Sequence, residues 1–115
     1  MHWLFKQSES DIERIEHNIA RWLSLRDYVH NLGDFVFASQ SGGYNCLLKL
    51  LDNNLIKSND NIHKHLHAAL VGANNQKVAL DSPWKFQYLM RETEKLIEKE
   101  IALSNREIRK IKLGK

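Results

Sequence analysis

The sequence predicts an all-α fold: an elongated bundle of three long helices, at about residues 10–32, 42–71 and 83–112. Three observations lead there. Apolar residues recur with the 3.6-residue period of a helix through all three segments, and convincing strand alternation is found nowhere. The one proline, Pro83, follows Ser82, the pattern of an N-cap with proline in the first helical position. Glycines fall between the periodic runs: Gly33 as a stop for the first, Gly42 and Gly43 ahead of the second, and Gly72 as its stop.

In the first segment Ser10 and Glu13 have capping-box spacing, and Glu9, Asp11 and Glu16 place negative charge where a helix dipole favours it. Ile12, Ile15, Ile19, Trp22, Leu23 and Val29 then fall in a sector roughly 120° wide, the stripe of a helix facing a core. Arg26 and His30 share that sector. Two readings of Arg26 follow: its aliphatic stem covers apolar surface with the guanidinium in solvent, or it makes a specific polar contact within the bundle or across an interface.

The second segment keeps its phase over a longer distance. Tyr44, Leu48, Leu51, Leu55, Ile62, Leu66 and Ala69 stay within a sector roughly 60° wide, even though "KSNDN" at 57–61 is rich in poor helix formers. A break would be free to reset the phase. One continuous helix over 42–71 is therefore expected, with room for a kink or short break near 58–61.

The third segment aligns Phe86, Met90, Thr93, Ile97, Ile101, Ser104, Ile108 and Ile111 in a seam roughly 80° wide, flanked by Leu89, Leu96 and Leu103 at seven-residue intervals. Helices of this length reach about 30 to 45 Å at 1.5 Å per residue, which makes a slender object. The surplus apolar surface, including Trp3 and Phe5 near the start, calls for a partner, and a second copy is the commonest one. Candidate interface residues are Trp3, Phe5, Trp22, Arg26, His30, Leu89, Leu96 and Leu103.

Composition narrows the function classes. A chain of 115 residues, 43% hydrophobic and 27% charged, is expected to form a single helical domain over 1–115. No apolar run approaches the roughly 20 residues of a membrane span, and the opening "MHWLFK" is too short for a signal-peptide core. The lone Cys46 excludes an internal disulfide and agrees with a reducing compartment, so a cytoplasmic protein is expected, with no membrane contact. The net charge of +3 is concentrated in the helix end at 105–115, which holds five basic residues and one acidic. There Arg106, Arg109 and Lys110 share one face, with Lys112 beside them, and could contact phosphates. No aromatic platform is interleaved with them for stacking on single strands.

Residues that could carry chemistry are sparse. In "IHKHLHAAL", His63 and His67 stand one turn apart and could grip one ion, whereas His65 lies on the other edge of the apolar stripe. His65 borders the packing seam, where an imidazole could make an interface respond to pH. A zinc site would need further ligands, and isolated His17 and Cys46 do not supply a convincing set. Cys46 falls away from the expected stripe with no histidine near it in sequence, as an incidental surface cysteine would. "SGGYN" at 41–45 lacks the lysine and spacing of a phosphate-binding loop and reads as a turn. Glu92, Glu94, Glu98 and Glu100 interleave with Arg91, Lys95 and Lys99, the pattern of an ion-paired, solvated helix face.

The expectation is a non-enzymatic helical interaction or assembly protein without a cofactor, forming a homo-oligomer and docking a protein partner through apolar seams. Architectures of this kind occur among phage and mobile-element accessory proteins. The alternative is a nucleic-acid-binding accessory protein that uses Arg106, Arg109, Lys110 and Lys112. A third, weaker reading is a metal-dependent helical-bundle enzyme centred on His63 and His67.

Overall fold

The computed structural model describes residues 2–76, 80 and 82–114, with side chains described at 9–72, 80 and 82–114. Four helices follow one another: α1 (His2–Ser39), α2 (Gly43–Leu51), α3 (Asn61–Gln76) and α4 (Pro83–Leu113), and no strand occurs among the described residues. The all-α expectation holds, as does the pairing of long helices. α4 begins where Ser82 and Pro83 place it, with Ser82 extended at the N-cap.

The first helix is longer than its sequence signals suggest. It runs through Gly33, because that glycine serves packing and does not end the helix: a Cβ there would stand 3.0 Å from the Met90 Cβ. Absence of a side chain lets α1 and α4 approach closely at this point. The helix ends instead at Gln40, whose φ of 59° is left-handed; its amide donates to the Val36 carbonyl at 2.9 Å and its side chain to the Phe37 carbonyl at 2.6 Å. This is the single-bond left-handed terminus, here built on glutamine. Gly42, at φ 88°, then turns the chain into α2.

The expected continuous helix at 42–71 is two helices, and the break starts at Asp52, well before 58. Backbone bonds from Asn53 to the Leu50 carbonyl and from Ile56 to the Asn53 carbonyl replace the helical ladder. The Asn53 side chain accepts the Leu55 amide at 2.8 Å, and Asp60 Oδ2 accepts the Lys57 amide at 2.8 Å. Short polar side chains have offered the backbone turn partners in place of helical ones. The shared apolar phase does not require one helix, because the break at 52–60 lets α2 turn a different face to the core from the one the phase marks. The phase itself was displaced in α2: Leu47 and Leu50 are fully buried, while Leu48 is 38% exposed and Leu51 half-buried. Gly72 lies inside α3 and does not end it.

α1 and α4 pack antiparallel along their lengths, and α1·α4 is the dominant contact in the molecule. α2 and α3 cover only one half of that pair. At one limit the turn at 52–60 meets Arg21; at the other Gly43 lies so close to the Leu80 carbonyl and Phe86 ring that no side chain would fit. Between these limits sits the core, where Leu25, Val29, Val36, Leu47, Leu50, Ile62, Leu66, Phe86, Met90 and Ile97 are fully buried. Beyond Arg21 the first part of α1 and the last part of α4 project as a two-helix arm. The molecule measures 58 × 24 × 18 Å with a radius of gyration of 17.2 Å, against about 13 Å for a compact chain of this length.

Candidate functional site

The antiparallel register brings a charged cluster together across the α1–α4 seam. Arg91 of α4 pairs with Asp34 of α1 and, at 2.9 Å, with Glu94 in its own helix. His30, one turn before Asp34, stands 2.8 Å by Nδ1 from Glu94 Oε1 and 3.3 Å by Nε2 from Asp34. The Arg91 guanidinium also comes within 2.9 Å of His30 Nδ1, and Gln87 donates to Asp34 at 3.1 Å. Desolvation at the seam raises the Asp34 carboxyl, but hydrogen bonds from Arg91 and Gln87 and the charges of Arg91 and His30 outweigh it and hold the group below its usual value. For Arg91, desolvation works downward, and the hydrogen bonds and charges of Glu94 and Asp34 raise it overall. The cluster lies at the surface, with His30 and Asp34 about half exposed. Its chemistry is that of a clamp between helices.

A second polar link is better shielded. Arg21 donates to the Leu55 carbonyl at 2.7 Å and to Asp60 Oδ2 at 2.8 Å, with both side chains about 85% buried or more. Its guanidinium carbon lies 4.1 Å over the Trp22 ring, and its Nε is buried without a hydrogen-bond partner. Arg21 therefore fastens the turn at 52–60 to α1. Arg26, the arginine on the apolar sector of the first segment, is half-buried and makes no ion pair among the described residues. The only advance signal for Arg21 was its place beside Trp22; that it would meet Asp60, 39 positions away, required the tertiary fold.

The structure distributes the other candidate residues. Trp22 is a core residue, 5% exposed, packed within its own chain. Trp3 and Phe5 lie in the first turns of α1, and their side chains fall outside the described residues. Leu89 and Leu96 are half-buried against the core, whereas Leu103 on the arm is 45% exposed. Cys46, expected at the surface, is half-buried and packs against the core, a consequence of the displaced face of α2. His63 and His67 stack with ring centroids 6.0 Å apart and planes inclined by 11°. No group of three His, Cys, Asp or Glu side chains able to hold a metal exists among the described residues. His65 is half-buried, with Nε2 enclosed and unpartnered.

Two surfaces stand out for what they leave uncovered. At the α1 C-terminal end, Phe35, Phe37, Trp84 and Tyr88 are exposed by 44 to 64%. On the arm at the opposite end, the seam that buries Phe86 to Ile97 continues through Ile101, Ser104, Ile108 and Ile111, all only half-buried, as are Ile12 and Ile19 of α1. Arg106, Arg109, Lys110 and Lys112 are exposed on the same arm and form no ion pair among the described residues. An open depression of about 300 Å³ on α1 is lined by Glu13, Glu16, His17 and Ala20.

Comparison with known protein families, curated proteins and solved structures found no match. No helix among the described residues is long and apolar enough to cross a membrane.

Proposed function

We propose that this protein is a non-enzymatic assembly module of the cytoplasm that self-associates through the apolar seam of its arm and docks a protein partner. One observation carries the reading. The chain has 7742 Å² of accessible surface, about 1,200 Å² more than the roughly 6,500 Å² expected of a compact monomer of 13.5 kDa. A standard protein interface covers about 800 Å² on each partner, so the excess is of the size that one association would remove. Half-buried Ile101, Ile108, Ile111, Ile12 and Ile19 make the arm an apolar surface suited to that association. Exposed Trp84 and Tyr88, one turn apart on α4 at the other end, leave a separate surface for a protein partner, since aromatic side chains are enriched at interfaces.

Sedimentation and light scattering of the full chain across a concentration series test this. A mass at least twice that of the chain is expected, and a strict monomer at every concentration would overturn it. A second reading has its own observation: the four exposed basic residues of the arm lack intrachain partners among the described residues, which suits contact with phosphates. Substituting Arg106, Arg109, Lys110 and Lys112 with Ala should then abolish oligonucleotide binding in a fluorescence anisotropy titration. Absence of binding by the unmodified chain at low salt would end that reading.

A further inference from the structure

Charge on the arm specifies how two copies would meet. Between Glu9 and Glu16, α1 carries four acidic residues and one basic; between Arg106 and Lys112, α4 carries four basic residues and one acidic. The antiparallel register set by Gly33 against Met90 and His30 against Glu94 brings these two stretches alongside each other within one chain. Yet no ion pair joins them among the described residues, where Arg14 with Asp11 is the pair seen in this stretch of α1. Both sets of charges are therefore available to a neighbour.

Helical periodicity identifies the face involved. Ile12, Ile19, Leu23 and His30 follow one another at intervals of seven, four and seven residues and so share a face of α1. His30 meets Arg91, which marks that face as the one turned toward the Arg91 flank of α4. Arg109 stands 18 residues, five full turns, beyond Arg91 and so occupies the same flank on the arm. On this one side of the arm, half-buried Ile12 and Ile19 and exposed Leu23 are bordered by Glu9 and Glu16 on α1 and by Arg106, Arg109 and Lys112 on α4.

We infer that the occupant of this face is a second copy whose arm lies alongside with its tip at the same end, about a twofold axis parallel to the arms. Each acidic α1 start then packs against the basic α4 end of the partner. The result is a four-helix bundle in which every neighbouring pair is antiparallel, with an isologous apolar centre and opposite charges along its edges. The opposite alignment, with tips pointing apart, would bring each arm's tip to the base of the partner's arm and leave these charges unmatched. This inference rests on the self-association reading proposed above and adds the partner's identity, direction and charge pairing.

Two full-length charge-reversed chains test it: one with Glu9→Lys, Glu13→Lys and Glu16→Lys, the other with Arg106→Glu, Arg109→Glu and Lys112→Glu. Each should sediment alone as a monomer, since its arms would repel. An equimolar mixture should restore a dimer with a dissociation constant at least roughly tenfold tighter than either chain achieves alone, because opposite charges again meet across the interface. The far-ultraviolet circular dichroism of each variant alone should match that of the unmodified chain, which shows that each is folded. The unmodified dimer should weaken when salt is raised from about 50 to about 500 mM. Dimers that survive in both variants, or monomeric variants that fail to associate on mixing, would overturn this arrangement while leaving self-association by another face intact. An unmodified chain that is monomeric throughout would overturn both.

Discussion

Asp34 and Arg91 join the two long helices of the molecule: the carboxylate on α1 accepts from the guanidinium on α4, which at the same time holds Glu94 in its own helix. Gly33, immediately before Asp34, lets the two helices approach closely beside this pair. Backbone approach and charge pairing are thus set by neighbouring residues.

The pair makes stability depend on acid. Because the folded state holds Asp34 below its ordinary value, the stability it contributes is fully present above an unfolded pKa of about 3.9 and is lost as pH falls through the lowered folded value. Thermal unfolding followed between pH 6 and 2 should show this limb below about pH 4. Asp34→Asn should flatten it, and an unchanged acid limb in that variant would assign the effect to other carboxylates.

Arg21 should matter more than any exposed ion pair. Asp60→Ala leaves the Arg21 guanidinium shielded from water with one partner gone, a loss of about 2 to 4 kcal/mol in urea unfolding. Lys95→Ala, which breaks a pair between exposed side chains, should change stability by less than about 0.5 kcal/mol. Similar values for the two would show that Arg21 does not anchor the turn.

Two glycines inside helices should respond in opposite directions. Gly72→Ala meets open space in α3 and should stabilise by about 0.5 to 1 kcal/mol through helix propensity. Gly33→Leu forces a side chain into the Met90 Cβ and should destabilise by about 1 to 3 kcal/mol, the usual range for overpacking. Melting temperatures of the two variants check the sign in each case.

Two tryptophans divide in the same way. Trp22→Ala opens a cavity in the core and should cost about 3 to 5 kcal/mol. Trp84, 62% exposed, should tolerate alanine within about 0.5 kcal/mol. A large loss at Trp84 in dilute solution would show that the aromatic end is already covered in the isolated protein.

Much of this protein was legible in its residues taken in order. The helical class, the start of α4 at Ser82 and Pro83, and the core face of α4 through Phe86, Met90, Thr93 and Ile97 all follow from local propensity and periodicity, which depend on near neighbours. Thr93 keeps its place on that apolar face because its hydroxyl donates to the Leu89 carbonyl at 2.7 Å, one turn back. The surplus apolar edge expected at Leu89, Leu96 and Leu103 is covered by the core at Leu89 and Leu96 and stays exposed only at Leu103 among these three.

The tertiary structure decided what local signals leave ambiguous. A glycine ends a helix or admits a neighbouring one, and only Met90 lying opposite Gly33 makes it the second. An apolar phase shared by 44–55 and 62–69 suggests a continuous helix, but the turn partners of Asn53 and Asp60 divide it in two, and α2 buries Leu47 and Leu50 in place of Leu48 and Leu51. The pairings of Arg21 with Asp60 and of Arg91 with Asp34 join residues 39 and 57 positions apart. Such pairs are set by the register in which helices pack, and that register is fixed by the whole core at once.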